Sequence, residues 1–477
     1  MRIVDPLNAE DAALLYAEAP GTQLQIGALC FFEAAPLRDR RGRLRDGELR
    51  SYFSGRLDAL PRFRQRIAPV FADAAAPMWV DDTDFDIERH CRLVELPAHD
   101  GADALRGFMD SLLSEPMDLA HPLWDIHMVE APDTLARGGG ADIDTVAVVV
   151  RAHHVMADGI ALHAAATLLL DPVPRPPSSR SHDWLPEPTP GTFDLAARAL
   201  AERARRQTGL AFDVARVLID PRQTASNIRL ASRVVGPIRH GLAAPAPTLP
   251  FTGPVGQRRA FAWDSVPMPD IVAVKQACGA TVNDVVLAIV AGALRRHLEA
   301  DGSFDPDAGE PRALIPIGSP ESSASSLRNR FSITTVALPV GVEDPLERVR
   351  LIHSRMHGRT TSPVQSIMPN LFSIADLIPP PVLRGLVPRL LARQPLVNLA
   401  VSNIPGSRVP LFLWEARMLG LHPFINVVGN VALIIGVLSY VDDLGVGITV
   451  DPDVVGDPEA IITHLRAAAT EMVALVR

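Results

Sequence analysis

The sequence predicts an α/β protein built from two domains, each a sheet flanked by helices. Strand-like and helix-like hydrophobic patterns alternate through the first 170 residues and again after about residue 258. A proline-rich stretch at 171–191 separates these two parts. The chain has 477 residues, 47% of them apolar, which is enough for two hydrophobic cores. We therefore divide it into residues 1–180, a proline-rich and helical crossover linker at 181–255, and residues 256–477.

In the first part, apolar runs rich in β-branched and aromatic residues predict strands, and apolar residues at helical spacing predict helices. The predicted strands lie at 23–32, 124–129 and 145–150, and the predicted helices at 47–60, 102–113 and 160–170.

In the linker, two amphipathic helices are predicted, at 193–210 and 213–235. The second part opens with a strand near residue 258 and closes with an amphipathic helix at 458–476. Between them we predict helices at 269–278 and 284–298, and strands at 313–318, 331–340, 397–401, 431–440 and 445–450.

Composition excludes several classes of protein. The net charge of −9 argues against a nucleic-acid partner. Three widely spaced cysteines, Cys30, Cys91 and Cys278, argue for a reducing compartment and against a disulfide framework. No signal-peptide core and no apolar run of about 18–20 residues is present, so we expect a cytoplasmic protein. The sequence lacks a Gly-x-Ser-x-Gly elbow, which disfavours a serine hydrolase.

The strand at 145–150 leads into a cluster of polar residues suited to acid–base catalysis. His153 and His154 follow the strand, then Asp158 and Gly159. Imidazole is the side chain whose ordinary pKa lies closest to neutral pH, so a histidine here suits the role of general base. We expect Asp158 to fix the loop, and Gly159 to let the backbone turn into the next helix.

Two alternatives remain for the histidine cluster. The pair can be merely buried and hydrogen-bonded at a strand end. His154, Asp158 and His163 can also share one side of a helix and bind a metal. The apolar residues between them supply no further ligand, so we predict no metal site.

The pattern His-His-x-x-x-Asp-Gly resembles the signature of the acyl-CoA-dependent acyltransferase superfamily. Three other segments are similar to motifs of the bacterial wax ester synthase/diacylglycerol acyltransferase family: Pro122-Leu-Trp124, Thr281-Val-Asn283-Asp284 and Ser402-Asn403-Ile-Pro-Gly406. The resemblance spans most of the chain. It implies two chloramphenicol-acetyltransferase-like domains, each a mixed sheet flanked by helices, with an active-site tunnel at their interface.

The same resemblance implies a reaction and roles for residues. Acyl-CoA is the co-substrate, no resident cofactor is needed, and the acceptor is a diacylglycerol or a long-chain alcohol. His154 is the second histidine of the signature and hence the base that deprotonates the acceptor, whereas His153 points into the core. The resemblance also places Asn283 near the site.

The residues of the other motifs each have a structural alternative. Asn283 stands just before a predicted helix, where it can stabilise an oxyanion or cap the helix, or do both. Asp284 in the first turn is expected to be structural. Trp124 is either a substrate contact or a core residue, and Ser402 with Asn403 either contacts substrate or simply ends a strand.

The segment 370–401 combines arginines with apolar residues at helical spacing, which predicts an interfacial segment that docks on a membrane or lipid droplet. A surface helix packed on its own domain is the alternative. Two rival functions also remain open. One is a condensation-type or polyketide-associated acyltransferase that takes its acyl group from a carrier protein, and the other is a non-catalytic lipid-binding or droplet-coating protein.

Overall fold

The computed structural model describes residues 5–19, 21–97, 101–130, 144–156, 169–175, 184–219, 245–318, 331–358 and 378–477. These residues contain two six-stranded mixed sheets, a small three-stranded sheet, and helices packed against them. The predicted α/β class with mixed sheets flanked by helices is confirmed. The predicted helix at 160–170 lies almost entirely outside the described residues.

The strands are β1 (Asp5–Pro6), β2 (Gln25–Glu33), β3 (Gln65–Ala68), β4 (Met78–Asp81), β5 (Cys91–Glu95), β6 (Trp124–Glu130), β7 (Thr145–His153), β8 (Ala260–Pro267), β9 (Arg312–Gly318), β10 (Phe331–Ala337), β11 (Leu399–Ile404), β12 (Phe412–Leu413), β13 (Ala416–Ile425), β14 (Leu433–Tyr440) and β15 (Asp443–Val450). The α-helices are α1 (Ala9–Ala17), α2 (Asp46–Arg56), α3 (Ile87–His90), α4 (Gly101–Ser114), α5 (Thr192–Ile219), α6 (Met268–Cys278), α7 (Val282–Ala300), α8 (Pro345–His357), α9 (Pro380–Leu391) and α10 (Pro458–Ala474).

The first sheet has the order β12-β13-β2-β7-β6-β5, so β7 lies near its centre. Successive side chains of β7 point alternately into two cores. Val146 and Val148 pack into the cluster that also holds Trp124, whereas Ala147 and Val149 pack into the cluster beneath α4. A strand covered on both faces must be apolar at every position, which is what the run at 145–150 predicted.

The second sheet has the order β10-β9-β11-β14-β15-β8. It is mixed because β11 runs parallel to both β9 and β14, whereas its other pairs are antiparallel. Helix α7 is buried along most of its length between this sheet and its neighbouring helices α8 and α10. Its continuous buried run at 284–294 makes it the central helix of the second core.

Strand β13 comes from the second part of the sequence yet belongs to the first sheet. It pairs antiparallel with β2, from Met418 opposite Phe32 to Ile425 opposite Ile26. It also packs on β14 and β15 of the second sheet. The division at 256–477 stays a prediction, but this strand inside that range completes the other sheet.

Two glycines allow β13 to pass close to the second sheet. A Cβ atom at Gly445 would lie 1.8 Å from the carbonyl oxygen of Leu421, and one at Gly447 would lie 1.9 Å from that of Pro423. No side chain fits at such separations. The absence of Cβ atoms on β15 therefore lets the backbones of the two sheets touch.

The linker contains one long helix where the sequence predicted two. Helix α5 (Thr192–Ile219) is continuous through the predicted break at 211–212, and residues 220–244 lie outside the described part of the chain. Leu195 and Ala199 pack against the three-stranded sheet β1-β4-β3, which the sequence pattern did not predict. We predicted one helix at 193–210 and a second one that begins at 213. That break is wrong, because a single helix extends to residue 219.

Among the described helices, none taken alone is long and apolar enough to cross a bilayer. Helices α6 and α7 meet that criterion only as a pair bent by 101°.

Candidate active site

His154 follows β7 directly, at the end of a central strand of the first sheet. Its backbone N–H donates a 2.7 Å hydrogen bond to the carbonyl oxygen of Leu24, which precedes the paired strand β2. The side chain is half-buried. The predicted position of His154 at a strand end is confirmed, and its role as a base stays a prediction.

His153 is fully buried, as the sequence predicted. Its Nδ1 accepts a 3.0 Å hydrogen bond from the N–H of Val155, and its Nε2 lies 2.8 Å from Oε1 of Glu18. Because Nδ1 is an acceptor, the ring hydrogen lies on Nε2, the nitrogen that is in ion-pair contact with the carboxylate. His153 therefore fixes the turn that carries His154 rather than meeting substrate.

Glu18 is a site residue that sequence reasoning missed. It is the C-cap residue of α1, and its Oε1 accepts from the N–H of Leu24 at 3.3 Å as well as facing His153. One carboxylate thus holds both His153 and the residue whose carbonyl binds His154. Nothing in the local sequence signals this role, because the contact joins segments far apart in the chain.

The end of β7 lies where the two sheets meet. Gln25, opposite His153 in the register, shares a hydrogen bond with Asn426, whose Nδ2 also donates to the carbonyl of Leu113 at 2.9 Å. Beside them, the buried Arg259 of the second part donates to Oε1 of Gln23 at 3.2 Å. The end of β7 therefore lies near residues from both parts of the chain. The tunnel predicted there stays a prediction.

A buried ion pair lies just before the two histidines. Nε of Arg151 donates to Oδ1 of Asp125 at 3.0 Å, and its Nη1 donates to the carbonyl of Leu112 at 2.6 Å. Burial alone would raise the pKa of Asp125, but hydrogen bonds from His127 and Arg151 outweigh it and lower that pKa to about 2. The pair ties β7 to α4 and to β6, so it secures the strand on which the histidines stand.

Asp158 and Gly159 lie outside the described residues, as does His163. The loop-fixing role of Asp158, the turn at Gly159 and the alternative metal site with His154 and His163 stay predictions.

Trp124 lies in the core of the first lobe. It is 2% exposed, its Nε1 donates to the carbonyl of Phe63 at 2.7 Å, and its ring stacks on His90 with centroids 4.7 Å apart. This placement matches the core alternative. A substrate contact by Trp124 stays a prediction that its burial does not favour.

Asn283 lies in the first turn of α7 but does not cap it. Thr281 is the N-cap, and it forms a capping box with Asp284, whose Oδ2 accepts from the N–H of Thr281 at 2.9 Å. The alternative of Asn283 as cap is therefore wrong, and the structural role expected for Asp284 is confirmed. The half-buried amide of Asn283 takes no part in the capping box and can serve another function.

Asn283 and Asn403 are brought together from two motifs distant in sequence. Nδ2 of Asn403, on β11, donates to Oδ1 of Asn283 at 3.4 Å. Ser402, the preceding residue, is buried in the same strand. The amide group of Asn283 and the first-turn backbone N–H groups of α7 share one helix end, where developing negative charge is favoured.

Comparison with known proteins gives one consistent result. The family model described as the wax ester synthase/diacylglycerol acyltransferase catalytic domain matches residues 7–286, and the model of the C-terminal domain of the same family matches residues 327–473. Two Mycobacterium tuberculosis proteins named as diacylglycerol O-acyltransferases are each 30% identical. The first alignment covers 98% of this chain and 90% of the relative. The second covers 98% and 96%.

Two solved structures share the fold. The wax ester synthase/diacylglycerol acyltransferase from Marinobacter aquaeolei matches with a TM-score of 0.64 and 23% identity, covering 99% of each chain. The first condensation domain of the calcium-dependent antibiotic synthetase matches with a TM-score of 0.60 and 13% identity, covering 100% of this chain and 96% of that one. Both matches show that the two-domain fold is shared.

Proposed function

Since this chain belongs to the wax ester synthase/diacylglycerol acyltransferase family, it is an acyltransferase, and we propose that it moves a long-chain acyl group from acyl-CoA to a diacylglycerol, with a long-chain alcohol as second acceptor. The acceptor hydroxyl needs a base at neutral pH. The observation that carries the proposal is the turn at His154 at the end of β7, held by Glu18 and the buried ring of His153.

The reaction proceeds by direct transfer while both substrates are bound. His154 takes the proton of the acceptor hydroxyl as its oxygen attacks the thioester carbonyl carbon. The tetrahedral intermediate then collapses, the carbon–sulfur bond breaks, and protonated His154 returns its proton to the leaving thiolate of coenzyme A. The products are an ester and free coenzyme A, and no redox or metal chemistry is required in this sequence of steps.

Asn283 supports this chemistry at the carbonyl oxygen. Its amide Nδ2–H, with backbone N–H groups in the first turn of α7, can donate to the oxyanion of the intermediate. Asn403 holds Oδ1 of Asn283 through a 3.4 Å hydrogen bond and so orients the amide, leaving its Nδ2 for the oxyanion. No cofactor takes part in the proposed mechanism.

A turnover assay tests the proposal. Purified protein is incubated with palmitoyl-CoA and either diolein or hexadecanol, and ester formation and coenzyme A release are measured together. His154→Ala should lose about 10²- to 10⁴-fold in rate, the range for losing a general base. His464→Ala, on α10, is the matched control and should keep full activity. Full activity of His154→Ala, with circular dichroism confirming its fold, would contradict the proposal.

A carrier-protein donor is the second candidate, favoured by the fold shared with the condensation domain. Palmitoyl-CoA and palmitoyl-carrier protein, offered together with different labels, compete for the same enzyme. We expect the label of the coenzyme A thioester in the product. Transfer from the carrier protein alone would replace our donor assignment.

The outer face of α9 supports membrane association at the cytoplasmic side or on lipid droplets. Leu383 is buried toward the protein, but Val382, Leu386 and Leu390, at spacings of four residues, are 52%, 40% and 59% exposed. Arg384 packs over the ring of Tyr16 and pairs with Asp73 at 3.0 Å, beside this exposed row. The helix thus has one apolar face packed on its own lobe and a second one open to solvent, as suits an interfacial helix.

Vesicle flotation tests this docking surface. The variant with Leu386→Asp and Leu390→Asp should lose binding to vesicles of phosphatidylethanolamine and phosphatidylglycerol. Leu475→Asp, at an exposed leucine beyond the end of α10, is the matched control and should float as the wild type does. Unchanged flotation of the double variant would contradict docking through α9.

A further inference from the structure

A cluster of two histidines and one aspartate lies beside the start of α7, apart from His154. His353 and His357 stand one turn apart on α8, and their rings pack with centroids 4.3 Å apart. Asp284, fully buried in the first turn of α7, faces them. One ligand-type atom from each of the three residues lies within 4.8 Å of the other two.

Hydrogen bonds determine which ring nitrogens are available. Nδ1 of His353 lies 2.8 Å from Oδ2 of Asp284, and Nδ1 of His357 lies 3.0 Å from the carbonyl oxygen of His353. An oxygen acceptor at each Nδ1 places the ring hydrogen there. Both Nε2 atoms then carry the lone pair that a metal ion can accept, and the two residues are half-buried and exposed, respectively.

Asp284 shows a second feature of a site that orients a ligand. Its Oδ2 accepts from both the N–H of Thr281 and His353, whereas its Oδ1 is buried with no hydrogen-bond partner among the described residues. A buried carboxylate oxygen left unpaired is costly.

We infer that His353 and His357 bind a divalent transition-metal cation through their Nε2 atoms, with Asp284 orienting His353 as a hydrogen-bonded carboxylate. Histidines that ligate metals usually donate their other ring N–H to a carboxylate or a backbone carbonyl, and both arrangements are present here. Two imidazoles at i and i+4 on one helix suit zinc, nickel or copper better than magnesium or calcium. Water fills the remaining positions.

The proposed site contacts the first turn of α7 through the hydrogen bond between His353 and Asp284. Asp284 is the N3 partner of the capping box at that turn, and Asn283 precedes it. A cation that fixes the ring of His353 would also fix its hydrogen bond to Asp284, beside the helix end that holds the proposed oxyanion donor. Arg355, which lies between the two histidines in sequence, is neutralised by its 2.8 Å ion pair with Glu310.

The test measures metal binding directly. Untagged protein freed of metal with a chelator is titrated with Co²⁺, followed by its visible absorption, and with Zn²⁺ by calorimetry. We expect one cation per chain, and a higher unfolding temperature with Zn²⁺ present. His353→Gln and His357→Gln should each abolish binding, and Asp284→Asn should weaken it about 10- to 100-fold.

The other histidine pair provides the matched control. His297 and His464 lie with ring centroids 5.9 Å apart between α7 and α10, and His297→Gln should bind Co²⁺ as the wild type does. The two test histidines are half-buried and exposed, so their variants should fold like the metal-free wild type, which circular dichroism verifies. Lack of stoichiometric binding by the wild type, or binding retained by either histidine variant, would overturn the inference.

Discussion

Replacing Glu18 by alanine should slow catalysis without touching a reacting group. The change removes the acceptor of the buried Leu24 N–H, and also the carboxylate that lies 2.8 Å from the fully buried Nε2 of His153. A buried donor left unsatisfied costs about 1–3 kcal/mol. The carbonyl of Leu24 also accepts the N–H of His154 at 2.7 Å. A shift of Leu24 would therefore displace the proposed base.

The expected loss of rate follows from this geometry. A displacement of a catalytic group by about 1 Å can cost on the order of 100-fold. We therefore expect kcat of Glu18→Ala to fall by about two orders of magnitude. The KM for palmitoyl-CoA should stay unchanged, because Glu18 positions the histidine turn rather than substrate.

Two controls separate positioning from folding. Glu18→Gln keeps an oxygen that can accept from both partners and should stay close to wild type, whereas Glu10→Ala, on the same helix, tests the loss of an acidic side chain at the other end of α1. Initial rates over a range of palmitoyl-CoA concentrations, with thermal unfolding of each variant, provide the comparison. A wild-type kcat in Glu18→Ala, or a raised KM with unchanged kcat, would refute the reasoning.

Three further predictions concern stability and the oxyanion donor. Asp125→Asn leaves the buried charge of Arg151 unpaired and should lower the free energy of unfolding by about 3–5 kcal/mol in urea titrations. Because the pKa of Asp125 is lowered to about 2, its contribution in the wild type should be complete above about pH 4 and lost as the pH falls toward 2. Gly447→Ala places a Cβ atom 1.9 Å from the carbonyl of Pro423 and should yield little soluble protein, whereas Gly341→Ala, with open space around it, should express normally. Asn283→Ala should lower kcat by about 10²- to 10³-fold in the ester-formation assay with its unfolding temperature retained, and an unchanged kcat would exclude it as the oxyanion donor.

The fold was predictable wherever the pattern of apolar residues is local. The covered strand β7 and the helix α10 each show their own periodicity over many residues, so their positions follow from sequence. The three-stranded sheet was missed because its strands are two to four residues long. The pairing of β13 with β2 was missed because it depends on contacts across most of the chain, which no local pattern encodes.

The site shows the same division. His153 and His154 were predicted at a strand end because a buried apolar run stops at polar residues there. The partnership of Glu18 with His153 could not be predicted, since an acidic residue at the end of a helix looks like any solvated carboxylate. Thr281 was passed over as the cap of α7 although it precedes Asp284 by three residues, the spacing of a capping box.

Strand β13 comes from the second part of the chain but completes the first sheet, and this has a consequence for biosynthesis. Until residue 425 has left the ribosome, β2 has an open edge, and its nine residues are largely apolar. Such an edge is a template for pairing with other chains. The first sheet therefore stays incomplete while the linker and most of the second part of the chain are synthesised. We expect truncated halves to aggregate and the nascent protein to depend on chaperones.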